Sequence, residues 1–147
     1  MKSAANLTRV SIPTSALTEL RVDDVMHRGV LTCRREAPLT EVAELMADNR
    51  VHCVVVSDED EGALWGIVSD LDLVAAALVR ELKEQTAGGS AASPVLIVAP
   101  AETVERAAQL MTEHATAHLV VVEPERSSPV GVLSTLDVAA ALAGAAV

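Results

Sequence analysis

The chain has 147 residues, a formal net charge of −10, a hydrophobic share of 50% and a single aromatic side chain, Trp65. That apolar content excludes a disordered chain. The acidity disfavours binding to the phosphate backbones of DNA or RNA, although a local pocket of opposite sign would still admit a small anion. With no Tyr or Phe, the stacking platforms that hold single-stranded nucleic acid are missing.

Cys33 and Cys53 are too few for a disulfide framework and read as free thiols of a reducing cytoplasm. No apolar stretch follows Lys2 as a secretory leader requires. The longest apolar run, Val138 to Val147, is half the ~20 residues of a membrane-spanning helix, so no membrane partner is expected.

In chain order, residues 1–21 show no clean period, and Ile12-Pro13 interrupts any early helix, so this segment is expected to be an N-terminal arm. Val30-Leu31-Thr32-Cys33 reads as a short strand. Leu39, Val42, Ala43 and Met46 lie at i, i+3, i+4 and i+7, which predicts one apolar stripe on a helix. Cys53-Val54-Val55-Val56 is a β-branched run too short for a helix, hence a strand. An acidic turn, Ser57 to Gly62, leads into a strand over Trp65 to Val68. A last helix then carries Leu71, Val74, Ala75 and Leu78.

Every one of these elements returns 65 residues later. Val95 to Val98 echoes the first strand; Val104, Ala107, Ala108 and Met111 echo the helix stripe; His118 to Val122 echoes the second strand. Leu136, Ala139, Ala140 and Ala143 echo the last helix. A fixed period of this kind marks a duplicated unit, and one copy alone leaves apolar faces uncovered. The expected fold is therefore α/β (α+β), two β-α-β-β-α repeats packed about a pseudo-two-fold axis. Their expected limits are 22–82 and 95–147, with 83–94, centred on Ala87-Gly88-Gly89-Ser90, as a flexible linker. Such a packing is expected to open two clefts between the halves.

The most informative stretch is Gly66-Ile67-Val68-Ser69-Asp70-Leu71-Asp72, repeated as Gly131-Val132-Leu133-Ser134-Thr135-Leu136-Asp137. It reads as a strand that turns at a serine into a helix. A helix N-terminus offers unpaired N–H groups and partial positive charge, a seat for phosphate or ribose oxygens. A capping box alone also explains Ser-x-x-Asp. Its occurrence twice, at the same place in a duplicated unit, favours a ligand, because a carboxylate there can accept hydrogen bonds from two vicinal hydroxyls.

The two units resemble a tandem pair of CBS (cystathionine β-synthase) domains, a stand-alone Bateman module. The likeness rests on Val22-Asp23-Asp24-Val25-Met26, the Val30-Leu31-Thr32 strand, Leu45-Met46, the Val54-Val55-Val56 strand and both Gly-x-x-Ser-x-x-Asp stretches. It implies a non-catalytic regulatory module that senses an adenosyl ligand: AMP, ADP, ATP or S-adenosylmethionine. It also implies two ligand sets. One combines Ser134 and Asp137 with Thr32, His52 and Cys53; the other combines Ser69 and Asp72 with Ile97, Ala117 and His118. Arg34, Arg35 and Thr135 would stand near phosphate in the first. Asp70, where the echo has Thr135, places like charge beside phosphate in the second, so the first set is expected to bind better. The family often has proline where this chain has Val55 and Val120, and a polar residue where it has Leu71 and Leu136. CBS pairs commonly dimerise, so a homodimer is expected, acting on a protein partner that the sequence does not name.

The remaining features read as structural. His27, His52, His114 and His118 lack metal-ligand spacing, and no H-E-x-x-H box is present. Asp58-Glu59-Asp60-Glu61 lacks the alternation of a calcium loop and reads as a solvated turn. Cys33 and Cys53 read as core thiols, a redox pair being the minor alternative. Trp65 reads as a core filler or a subunit anchor. No nucleophile triad, P-loop or dinucleotide fingerprint points to an enzyme, and no cofactor is required. The competing reading is a ligand-free CBS-pair scaffold with the same fold.

Overall fold

The computed structural model describes residues 17–58, 63–92, 95–126 and 128–144. Most of the expected arm, most of the acidic turn and the final residues of the chain lie outside the described residues. The elements run α1 (Val22–Val25), β1 (His27–Arg28), β2 (Thr32–Arg34), α2 (Leu39–Asn49), β3 (Cys53–Asp58), β4 (Ala63–Ser69) and α3 (Asp70–Ala77). A 3-10 turn at Leu82–Glu84 follows, then α4 (Ala87–Ser90), β5 (Ile97–Val98), α5 (Val104–His114), β6 (His118–Val122), β7 (Pro129–Ser134) and α6 (Thr135–Leu142). The mixed fold and the β-α-β-β-α repeat are as the sequence predicts, with the first strand of each repeat shifted towards its C-terminal end.

Two compact units form, Val30–Leu96 and Met1–Gly29 with Ile97–Val147. In the first, β2 pairs parallel with β3 and β3 antiparallel with β4. Helix α2 lays Leu39, Val42 and Met46 on this sheet, against Cys33, Val54, Val56 and Val68. These are the inward residues of the 3.6 and 2.0 periods. In the second, β5 pairs parallel with β6, β6 antiparallel with β7, and β7 antiparallel with β1. Val104, Ala107 and Met111 of α5 are its buried helix stripe.

Spatial units and sequence repeats do not share a boundary. Segment 21–28 belongs with β5 to α6: the Val22 N–H donates to Glu102 O at 2.8 Å, and Arg21 bridges Thr103. Segment 86–92 is its echo. Thr86 bridges Pro38, and Ala92 bridges Ile67, as His27 pairs with Val132. The stretch expected to be a flexible linker is therefore packed structure. Thr86 Oγ1 caps α4 by accepting from Gly89 N at 3.1 Å, and Ala87 is fully buried. Ala87 N and Gly88 N each donate at 2.8 Å, to Ala37 O and Arg35 O. Small residues serve close approach here, not flexibility.

The last helices leave much of their apolar content uncovered. Leu71 is 72% exposed, Val74 60% and Leu78, the C-cap of α3, 85%. Ala76 is buried instead, with Leu73 packed beside the core. On α6, Leu136 is exposed while Asp137, Val138 and Ala141 are buried. Both eight-residue helices carry two apolar faces in sequence, and only one of them is covered.

Candidate functional site

Each unit builds one strand–turn–helix corner in the same way. In the first unit, β4 ends at Ser69, whose extended backbone makes it the N-cap of α3. Ser69 Oγ accepts from Asp72 N at 3.2 Å, and Asp72 Oδ2 accepts from Ser69 N at 2.8 Å. In the second, Ser134 Oγ accepts from Asp137 N at 3.1 Å, and Asp137 Oδ2 accepts from Ser134 N at 2.8 Å. These are reciprocal capping boxes. They satisfy two of the donors exposed at a helix start; at α3 the other first-turn donors are also engaged, Asp70 N by His52 O at 2.9 Å and Leu71 N by Asp70 Oδ1 at 2.8 Å.

The preceding glycine has a steric reason. A Cβ on Gly66 would lie 2.7 Å from both Ala91 Cβ and Ala92 O. One on Gly131 would meet His27 O and, at 3.0 Å, Met26 Sδ. In both units the glycine lets the segment before the repeat's first strand lie against the strand that carries the turn.

The start of the second strand sits beside the same corner. Cys53 is in register with Ser69, and Asp70 N donates to His52 O at 2.9 Å. In the other unit His118 is in register with Ser134, and Thr135 N donates to Ala117 O at 2.9 Å. Thr32 is exposed on β2 opposite Val55, and Ile97 is exposed on β5 opposite Val120. By unit, the structure thus groups His52 and Cys53 with Ser69, Asp70 and Asp72. It groups Ala117 and His118 with Ser134, Thr135 and Asp137. Each set implied by the family resemblance takes members from both units.

The two corners differ in charge. Asp70 Oδ2 lies 3.0 Å from His52 Nδ1, so the extra carboxylate at the α3 corner has an imidazole partner. Asp137 is 7% exposed, and its Oδ1 lies 2.9 Å from His27 Nδ1. Asp72 has no partner other than its cap among the described residues. His27 is expected from the sequence only as a surface or pocket-lining histidine, not as a partner of Asp137. The available signal was the register of the repeat, which places His27 opposite the Gly-x-x-Ser-x-x-Asp strand.

Two expected phosphate neighbours are otherwise engaged. The Arg35 guanidinium stacks 3.8 Å from the Trp65 ring centroid and reaches Asp58 Oδ2 at 3.4 Å. Arg34 lies 3.7 Å from Glu36 and is exposed. Both cysteines are free and buried, three register positions apart on neighbouring strands. Burial, with Glu41 adding, pushes the Cys33 thiol up to about 11; burial, with Asp70 adding, pushes Cys53 up to about 12. Among the described residues no three His, Cys, Asp or Glu are grouped to hold a metal ion. No helix among them is long and apolar enough to cross a membrane.

A family model for the CBS domain matches residues 22–79 and 90–144. No curated protein matches the sequence. Among solved structures, a CBS-domain-containing protein from Agrobacterium tumefaciens is 25% identical, with 82% of this chain and 92% of that chain covered and a TM-score of 0.73. A CBS-domain protein from Pyrobaculum aerophilum, complexed with AMP, is 30% identical, with 80% and 89% covered and a TM-score of 0.70. A CBS domain pair in complex with 5′-methylthioadenosine and S-adenosylmethionine is 23% identical, with 85% and 97% covered and a TM-score of 0.75, a likeness of fold.

Proposed function

The chain belongs to the CBS-domain family, and from that premise we propose that it is a non-catalytic regulatory module sensing an adenosyl ligand through its Ser-x-x-Asp corners. The observation that carries this reading is the α3 corner. There the Asp72 carboxylate turns one oxygen to its cap and, among the described residues, leaves the other without a protein partner. A ribose diol fits that second oxygen. The AMP complex of the 30% identical Pyrobaculum protein supports the ligand class. Thr32, His52, Cys53, Ile97 and His118 are proposed as further contacts and Arg34 as the nearer cation, Arg35 being held by Trp65 and Asp58. We propose the Asp72 corner as the readier of the two, because Asp137 is covered by His27 whereas Asp72 has no partner other than its cap among the described residues.

The module acts as a homodimer in the cytoplasm in this reading. Leu71, Val74 and Leu78 form an exposed stripe at helical spacing on α3, an apolar surface suited to a second copy. The buried free thiols suit a reducing compartment. Sedimentation velocity at high micromolar concentration tests the dimer; a monomer there rejects it.

One observation favours a ligand-free scaffold: both capping boxes are complete without ligand. Thermal melting with AMP, ADP, ATP and S-adenosylmethionine separates the two. A ligand at 100 times its dissociation constant stabilises by about 2.7 kcal/mol. No shift with any of the four favours the scaffold.

A further inference from the structure

His27 and Ala92 occupy the same place in the two units. They are 65 residues apart, and each lies antiparallel to the strand leading into its Ser-x-x-Asp corner, His27 opposite Val132 and Ala92 opposite Ile67. Only one of them has a side chain that can reach the carboxylate. His27 Nδ1 hydrogen-bonds to Asp137 Oδ2 at 3.2 Å and lies 2.9 Å from Oδ1, and since the acceptor is a carboxylate the ring nitrogen carries the hydrogen. Ser134 N holds the same Oδ2 at 2.8 Å, so the imidazole bonds to the cap oxygen while standing directly against Oδ1. At the other corner Ala92 has no group to offer, and Asp72 keeps one oxygen for a ligand.

From this we propose that His27 is the specificity-determining residue that makes the two corners unequal: its ring, bonded to the Asp137 carboxylate and standing against the diol-accepting oxygen, hinders ribose there. The inference rests on the sensing role proposed above. A vicinal diol needs two acceptor positions, and one held by a charge-assisted hydrogen bond is surrendered only at the cost of that bond. The imidazole is 77% exposed, so its removal leaves no cavity in the core. The chain would thus carry one ready seat, at Asp72, and one masked seat, at Asp137, which an adenosyl ligand enters by displacing the ring.

Calorimetric titration of the full chain with AMP and with its 2′,3′-dideoxy analogue tests this. In an Asp72→Ala background, which leaves only the Asp137 corner, adding His27→Ala should strengthen AMP binding by about tenfold, the scale of one such bond. The analogue, which has no diol, should show no gain. Conversely, Ala92→His in the otherwise native chain should weaken AMP binding by a similar factor. Unchanged or weaker AMP binding on removing His27, an equal gain for the dideoxy analogue, or an Ala92→His variant that binds like the native chain each overturns the inference alone. Failure of the native chain to bind AMP, ADP, ATP or S-adenosylmethionine overturns the sensing role, and the inference with it.

Discussion

The Trp65 indole N–H donates to the carbonyl of Gly88 at 3.0 Å, tying β4 to the short helix α4. The other side of this contact is Arg35, whose guanidinium lies 3.8 Å from the ring centroid while its backbone carbonyl accepts from Gly88 N. The chain's only aromatic residue is therefore a clamp, between the sheet on one side and a glycine-rich turn on the other. Arg35→Ala removes the cation–π contact and the Asp58 ion pair together. It should cost about 1 kcal/mol and move the Trp65 emission maximum, since no other tryptophan contributes. Arg35→Ala with native emission and native melting would mean that the stacking is not populated in solution.

The glycines that open each Gly-x-x-Ser-x-x-Asp stretch make a sharper demand. A methyl group at Gly66 meets two atoms at 2.7 Å, one of them the backbone oxygen of Ala92, which cannot rotate away. Gly131 faces the backbone of His27 in the same manner. Gly66→Ala and Gly131→Ala should each destabilise the chain by about 1–3 kcal/mol, the usual cost of overpacking. The readout is the urea midpoint, and either variant matching the native midpoint would show that the segment at Ala92 or His27 is not held against its strand.

The helix stripes on α2 and α5 were legible in the sequence because each has a period set by one helix side, the strands β3 and β6 because they are short β-branched runs buried on both faces, and the repeat because all of these return at one offset. The capping boxes were legible for the same local reason, since their partners are three residues apart. What local pattern could not supply was the pairing of segments far apart in the chain. Ala87 to Ala92 has linker composition, yet it packs like Val22 to His27, and only the shared register with Ile67 and Val132 reveals it. His27 contacts Asp137 across 110 residues, so no spacing rule points to it. Which face of α3 is covered was not legible either, since Leu71, Val74 and Leu78 outweigh Leu73 and Ala76 in apolar content, yet Ala76 is the buried one.

The helices α2 and α5 end on the same device, an L-residue in the left-handed region. Arg50 has φ 55° and Ala115 has φ 51°, and the N–H of each donates to the carbonyl of a methionine one turn back, Met46 and Met111. This conformation costs a residue with a Cβ roughly 1–2 kcal/mol, and glycine avoids it. Ala115→Gly should therefore raise stability by about 0.5–1 kcal/mol after glycine's larger chain entropy is set against the relief. Differential scanning calorimetry should show a higher melting temperature; a lower one would mean that the helix end relaxes out of this geometry in solution.

The two buried thiols set an alkaline limit. In the folded chain Cys33 is pushed up to about 11 and Cys53 to about 12, from an ordinary 9.0, chiefly because burial disfavours the thiolate. An unfolded chain releases both protons near 9.0 while the folded chain holds them, so above that pH the unfolded state binds fewer protons. The free energy of unfolding must then fall as pH rises, with the thiols' contribution intact below 9.0 and lost progressively towards 12. A Cys33→Ala, Cys53→Ala double variant lacks both groups. Its urea-unfolding free energy should decline less steeply than that of the native chain between pH 9.0 and about 11. Parallel pH profiles would show that the thiols ionise alike in both states, and that strands β2 and β3 leave them open to water.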